Sequence, residues 1–165
     1  MHVEYRAEFR CTPWQLWPLL DDVDKQKLWM TTLLEIVPTS QIPRAVGATF
    51  DMRVREARRI SRYEGRINAY DPPRHLGVSL WGGAFQPGVV MKVDYRLADL
   101  NATTRLEYYA EVDTESLRGP IKLAIPIARV FAFFQIRYFL GNLKRLAESA
   151  ARLESARKPQ ARRSS

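Results

Sequence analysis

Residues 103–113 read TTRLEYYAEVD, and residues 120–156 read PIKLAIPIARVFAFFQIRYFLGNLKRLAESAARLESA. Between these two stretches the hydrophobic period changes from 2 to about 3.6 residues. In the first, Leu106, Tyr108, Ala110 and Val112 fall on one face, and Arg105, Glu107, Glu111 and Asp113 fall on the other. That alternation predicts a half-buried antiparallel strand. In the second, Ile125, Ala128, Ala132, Ile136, Phe139, Leu143, Leu146, Ala150 and Leu153 recur at intervals of three and four, as on the buried stripe of a helix. Pro126 is the one interruption and is expected to kink that helix.

Upstream, the period of 2 repeats. Residues 2–10 place Val3, Tyr5, Ala7 and Phe9 opposite His2, Glu4, Arg6, Glu8 and Arg10. Thr12 and Pro13 have the form of an N-cap and first helical residue, so a short helix is expected over 14–20. Asp21 and Asp22 can open a second short helix that ends near Met30. Strands are expected at 33–37, 48–56, 59–70, 74–81 and 89–97, separated by turns rich in Pro and Gly. Strand 74–81 keeps two orientations open, because Leu76, Val78 and Leu80 compete with Trp81 for the inner face. The expected fold class is α+β: an antiparallel sheet of six to seven strands, two short helices after the first strand, and one long C-terminal helix. Only that helix is large enough to cover the apolar face of the sheet.

The chain has 165 residues, enough for one domain with a substantial core. One cysteine excludes an internal disulfide framework or a cysteine-rich zinc site. No run of 18 apolar residues is present, and Glu4, Arg6, Glu8 and Arg10 interrupt any leader-like segment, so a cytoplasmic location is expected. The net charge is +8, but Arg157, Lys158, Arg162 and Arg163 supply half of it within the last nine residues. The expectation is a single domain over 1–156 with a basic disordered tail over 157–165, and no nucleic acid as main partner.

The order of elements resembles the helix-grip fold of the START/Bet v 1-like (SRPBCC) superfamily. Within it the sequence is similar to bacterial proteins of the polyketide cyclase/dehydrase and lipid-transport family. The residues that carry the likeness are the opening strand, then Pro13, Trp17, Leu20, Asp21 and Trp29, Gly47 before a long strand, and Tyr70-Asp71-Pro72-Pro73 before the next. The resemblance covers about residues 2–155. It implies a curved sheet gripping the terminal helix, with a cavity between them for an apolar or amphipathic small molecule. The inward residues expected to line it are Tyr5, Phe50, Met52, Tyr63, Leu76, Val78, Leu80, Trp81, Met91, Val93, Tyr95 and Tyr108 from the sheet. Ala128, Ala132, Ile136 and Phe139 would line it from the helix. Inward tyrosines favour a cavity, since each hydroxyl needs a partner. The small Ala128 and Ala132 place the free space under the first half of the helix.

The other side of that half, Ile127, Val130, Phe131, Phe134 and Tyr138, is also apolar. Such a patch is covered by a second copy of the chain, by one of its own loops, or by lipid. A homodimer through the C-terminal helix is the favoured outcome, with membrane-surface contact less favoured.

Catalytic signals are sparse. His2 and His75 have no metal-ligand spacing, and no nucleophile elbow, phosphate loop or zinc helix motif occurs. Cys11 is expected to be structural, and Asp21, Asp22 and Asp24 to be capping and solvating. No cofactor or metal is expected, and no catalytic residue is assigned. Two functions follow: binding of a lipid- or polyketide-like molecule, or a polyketide aromatase/cyclase or dehydratase using acid–base chemistry in the same cavity.

Overall fold

The computed structural model describes residues 1–56, 58–113 and 125–161, with side chains outside 125–132 and 158–161. The elements in order are β1 (His2–Phe9), α1 (Pro13–Asp21), α2 (Val23–Trp29), β2 (Leu33–Pro38), β3 (Thr49–Glu56), β4 (Arg59–Asp71), β5 (His75–Gly82), β6 (Val90–Asp99), β7 (Thr104–Val112) and α3 (Ile125–Ala161). The seven strands form one antiparallel sheet in the order β1-β7-β6-β5-β4-β3-β2. Apart from the β1–β7 closure, every neighbour is also a neighbour in sequence. The helix-grip fold expected from the sequence is the fold observed.

Local chemistry fixes the two short helices. Thr12 caps α1 by accepting from the Gln15 N–H at 3.3 Å, while Gln15 Oε1 accepts from the Thr12 N–H at 2.9 Å. This reciprocal pair satisfies two of the four free donors at the helix start. Asp22 caps α2 by accepting from the backbone of Asp24 at 2.9 Å and of Lys25 at 3.3 Å. Asp21 does something else. It takes the Arg44 guanidinium and the Tyr70 hydroxyl, the latter at 2.9 Å. The acidic cluster is thus one cap, one long-range tie and one exposed pair, Asp24 with Lys27.

The residues that carry the family likeness gather in space around that tie. Trp17 meets the Tyr70 ring edge-on at 5.8 Å. Trp29 Nε1 donates to the Leu19 carbonyl at 2.6 Å, and the Gln26 amide donates to the Leu20 carbonyl. The two short helices therefore plug one end of the sheet against β4.

The long helix packs on β1, α1 and α2. Its buried positions are Phe139, Leu140, Leu143, Ala147 and Ala151. This corrects the stripe expected past residue 143: Leu146 is half-buried, Ala150 is exposed, and Leu153 is 64% exposed. Ala147 and Ala151 face inward because small side chains let the helix come close to α1 and the end of β1. There Arg10 N–H donates to Glu148 at 3.0 Å and Gln15 to Glu154 at 2.7 Å. The helix runs on to Ala161, so 157–161 are helical where the composition reading places the tail. Pro126 is the second residue of the described helix; the expected turn before it, over 120–124, lies outside the described residues.

Cys11 is buried between β1 and α1, and its carbonyl accepts from the buried Thr104 hydroxyl at 2.7 Å. Burial, then the Glu148 charge, push its thiol from 9.0 up to about 11. The thiol is therefore protonated and inert at neutral pH.

Two outcomes follow. In urea unfolding, Leu143→Ala should cost roughly 2–5 kcal/mol and Leu153→Ala less than about 0.5 kcal/mol, because only the first is fully buried. The reverse ranking would return the stripe to 146, 150 and 153. At pH 8, Cys11 should stay unreactive toward a thiol reagent until the chain unfolds. Its raised value means the folded state holds its proton more tightly. Stability from this group is complete below pH 9 and lost as pH rises toward 11. Cys11→Ala should remove that part of the alkaline decline.

Candidate functional site

Three rows of inward side chains cross the middle of the sheet. The first runs Tyr70, Leu76, Tyr95, Tyr108, Tyr5. The second runs Ile67, Val78, Val93, Ala110, Val3. The third runs Phe50, Gly65, Leu80, Met91, Val112. In this last row Phe50 lies across Gly65, where any Cβ would collide with its ring. Between these rows and α3 lies a cavity of about 310 Å³. Gln135, Ile136, Phe139 and Leu140 border it from the helix, and Leu20, Trp29 and Met30 border it from the short helices. It separates two packed clusters. One is centred on Phe9, Leu97, Leu106 and Leu143, and the other on Leu33, Phe50, Met52 and Leu80.

The wall is mainly apolar, with few polar groups. At the hairpin end, Glu56 accepts hydrogen bonds from Tyr63 and Ser61. The Tyr63 ring is covered by Gly83, whose φ of +58° and close approach exclude any side chain. Phe85 meets that ring edge-on at 5.3 Å, and the Ala84 N–H donates to the Tyr63 hydroxyl at 3.4 Å. Burial, then the hydrogen bond to Glu56, hold the Tyr63 hydroxyl above its ordinary value of 10.0. The 82–88 turn thus closes the wall with an aromatic ring. Beside α1, Arg44 reaches the cavity while paired to Asp21. Further in, Tyr95 and Tyr108 pack edge to face at 5.2 Å. Burial raises both hydroxyls above 10.0, and for Tyr108 the neighbouring Tyr95 adds to it.

Of the expected lining residues, Phe50, Met52, Tyr63, Leu76, Val78, Leu80, Met91, Val93, Tyr95, Tyr108, Ile136 and Phe139 border the cavity. Two do not. Trp81 points to the outer face and donates to Glu64, its cross-strand partner, at 2.9 Å. This settles strand β5: Leu76, Val78 and Leu80 face inward, and residue 81 has the opposite parity. Tyr5 lies on the inner face of the edge strand but packs into the solid cluster. The side chains of Ala128 and Ala132 lie outside the described residues, as do those of Ile127, Val130 and Phe131. Phe134 and Tyr138 are 63% and 58% exposed, so neither the 38–47 loop nor the 82–88 loop covers them. Arg137 lies over the neighbouring Phe133 ring at 5.5 Å.

Glu56, Arg44 and Phe85 were not expected. Glu56 had a visible signal, because it shares parity with Phe50, Met52 and Val54. Arg44 and Phe85 sit in turns, where no period exists to orient them. His75 pairs with Asp94 at 2.6 Å and His2 stacks on Tyr109 at 6.2 Å. Among the described residues no three His, Cys, Asp or Glu side chains converge as metal ligands, and no helix is long and apolar enough to cross a membrane.

The architecture recurs in solved structures. TTHA0849 from Thermus thermophilus superposes with a TM-score of 0.71 at 12% identity, over 92% of this chain and 99% of that one. Ara h 8.0201 gives 0.68 at 12% identity, over 90% and 98%. DynU16, from the dynemicin biosynthetic locus, gives 0.64 at 15% identity, over 91% of this chain and 48% of that one. At these identities the likeness is one of fold. No curated protein sequence matches the chain. Residues 1–148 match the sequence model described as polyketide cyclase/dehydrase and lipid transport, and the chain belongs to that Bet v 1-like family.

Proposed function

We propose that the chain binds an apolar or amphipathic small molecule, lipid- or polyketide-like, in the cavity between the sheet and α3. The observation that carries this is the cavity itself, about 310 Å³ between the sheet and α3 with a mainly apolar wall. A chain selected only for stability would close the gap with larger side chains at Val78, Val93 or Ala110. The volume also lies within the range of ligand sites, roughly 300–1,000 Å³, and the wall has their composition: apolar with a few placed polar groups. The family description, polyketide cyclase/dehydrase and lipid transport, supports the same class of ligand.

A second reading, the aromatase/cyclase or dehydratase, has one specific observation behind it. Glu56 is a carboxylate on the cavity wall, held by Tyr63 and Ser61. In that reading it is the acid–base group, and Tyr63 orients it.

Phenylnaphthylamine, an apolar fluorophore, should bind the wild type with a blue-shifted emission. Val78→Trp, which places an indole in the middle row, should weaken that binding about tenfold or more while the circular dichroism and melting temperature are retained. Unchanged binding in a folded Val78→Trp chain rejects the cavity. For the second reading, turnover of a poly-β-ketone should fall at least about 100-fold in Glu56→Gln; equal turnover excludes Glu56 as the base.

A further inference from the structure

The inner tyrosines fall into two groups. Tyr63 donates to Glu56, and Tyr70 donates to Asp21 at 2.9 Å. Tyr5, Tyr95 and Tyr108 have no such partner, and of these Tyr95 and Tyr108 border the cavity. These two face each other directly across β6 and β7, where the cavity meets the solid cluster of Leu97 and Leu106. Tyr108 is only 4% exposed, and the surface that Tyr95 retains borders the cavity. Neither hydroxyl makes a hydrogen bond with a described residue, and among the described residues no fully enclosed polar side-chain atom lacks a partner. Both residues line the cavity, and neither hydroxyl is sealed in the solid cluster. Buried hydroxyls are almost always bonded, so two adjacent donors without a protein partner can bond a polar atom of an occupant in place of water.

The charges around the cavity narrow what that atom can be. Arg44 is held by Asp21, Glu56 by Tyr63 and Ser61, and the terminal ammonium by the Val112 carbonyl at 2.8 Å. Arg44 sits at the Tyr70 end of the tyrosine row through Asp21, and no hydrogen bond or ion pair joins any of these groups to Tyr95 or Tyr108. Burial keeps both phenols protonated, so at neutral pH they offer two O–H donors and no charge. A carbonyl oxygen has two lone pairs and no hydrogen, so it can accept from both donors at once. A carboxylate there would be a buried anion with no cation beside it among the described residues, which is strongly unfavourable. A bare hydrocarbon would leave both donors unbonded.

We propose that Tyr95 and Tyr108 form a two-donor subsite for a neutral carbonyl oxygen, so that the ligand enters oxygen first and ketones or esters are preferred over carboxylates. This rests on the ligand-cavity reading above and adds the chemical class of the ligand's inner end.

The test uses three probes on one ring system: propionylnaphthalene, propylnaphthalene, which lacks the oxygen, and naphthoate, which carries a charge. Tyr95→Phe, Tyr108→Phe and the double variant remove only hydroxyls and keep both rings. By calorimetry, each single variant should weaken the ketone roughly five- to tenfold and leave propylnaphthalene within about twofold. Naphthoate should bind the wild type at least about tenfold more weakly than the ketone. In the infrared, the carbonyl stretch of the bound ketone should lie below its position in hexane for the wild type, and return in the double variant. The wild-type spectrum carries the test even if a variant fails to fold. Equal losses for both neutral probes, no loss for the ketone, naphthoate binding as tightly as the ketone, or an unshifted carbonyl stretch overturns the subsite while the cavity reading stands. If neither neutral probe binds the wild type, the cavity reading falls and the subsite with it.

Discussion

One helix has to cover a face wider than itself. Seven strands spaced at roughly 4.8 Å span about 29 Å, whereas a helix with its side chains is roughly 10–12 Å across. The apolar face of a seven-stranded sheet cannot all reach α3 if the sheet stays open and flat. Curvature brings part of the difference back, and α1 with α2 plugs one end. What remains is the cavity. Its position follows from where the helix is pressed hardest against the sheet, at Leu143, Ala147 and Ala151. The alanines bring the backbone close at that end, and the helix stands off the sheet at Ile136 and Phe139, which border the open space.

The rest of the structure defends that arrangement. The Asp21 carboxylate joins the end of α1 to Arg44 in the turn before β3 and to Tyr70 in β4, so three separate segments meet at one carboxylate. The tie adds to the apolar contacts and to the Gln15–Glu154 bond that hold the short helices over the cavity's edge. At the opposite side the Glu56–Tyr63 pair and Phe85 perform the same closing role with different groups. The cavity is bounded by polar ties at two ends and by aliphatic and aromatic rows between them, which is why its interior is mainly apolar although its chain is rich in arginine.

Most of the strand architecture was legible because alternation has one phase. Once Phe50, Met52 and Val54 are inward, Glu56 is inward too, and strands β3, β6 and β7 could be oriented residue by residue. Strand β5 could not, because Trp81 is as apolar as its neighbours; its orientation depends on Glu64 lying opposite it, a register fact with no local signal. Among the described side chains the helix stripe was legible at Ile136, Phe139 and Leu143 and not beyond. Beyond it two tracks of similar spacing exist, one through leucines and one through alanines. The tighter track prevailed because close approach to α1 needs small side chains, and hydrophobicity alone ranks it second. The candidate site was legible as a set of inward residues and opaque in its hydrogen bonds. Nothing in the sequence separates Tyr63 and Tyr70, which have partners, from Tyr95 and Tyr108, which do not.

The cavity also makes volume a property of the folded state. Internal space is present in the native chain and absent from the unfolded one, so hydrostatic pressure acts on their difference. An occupant takes up that space and lessens the difference. Pressure thus reports occupancy without reference to the chemistry of the ligand.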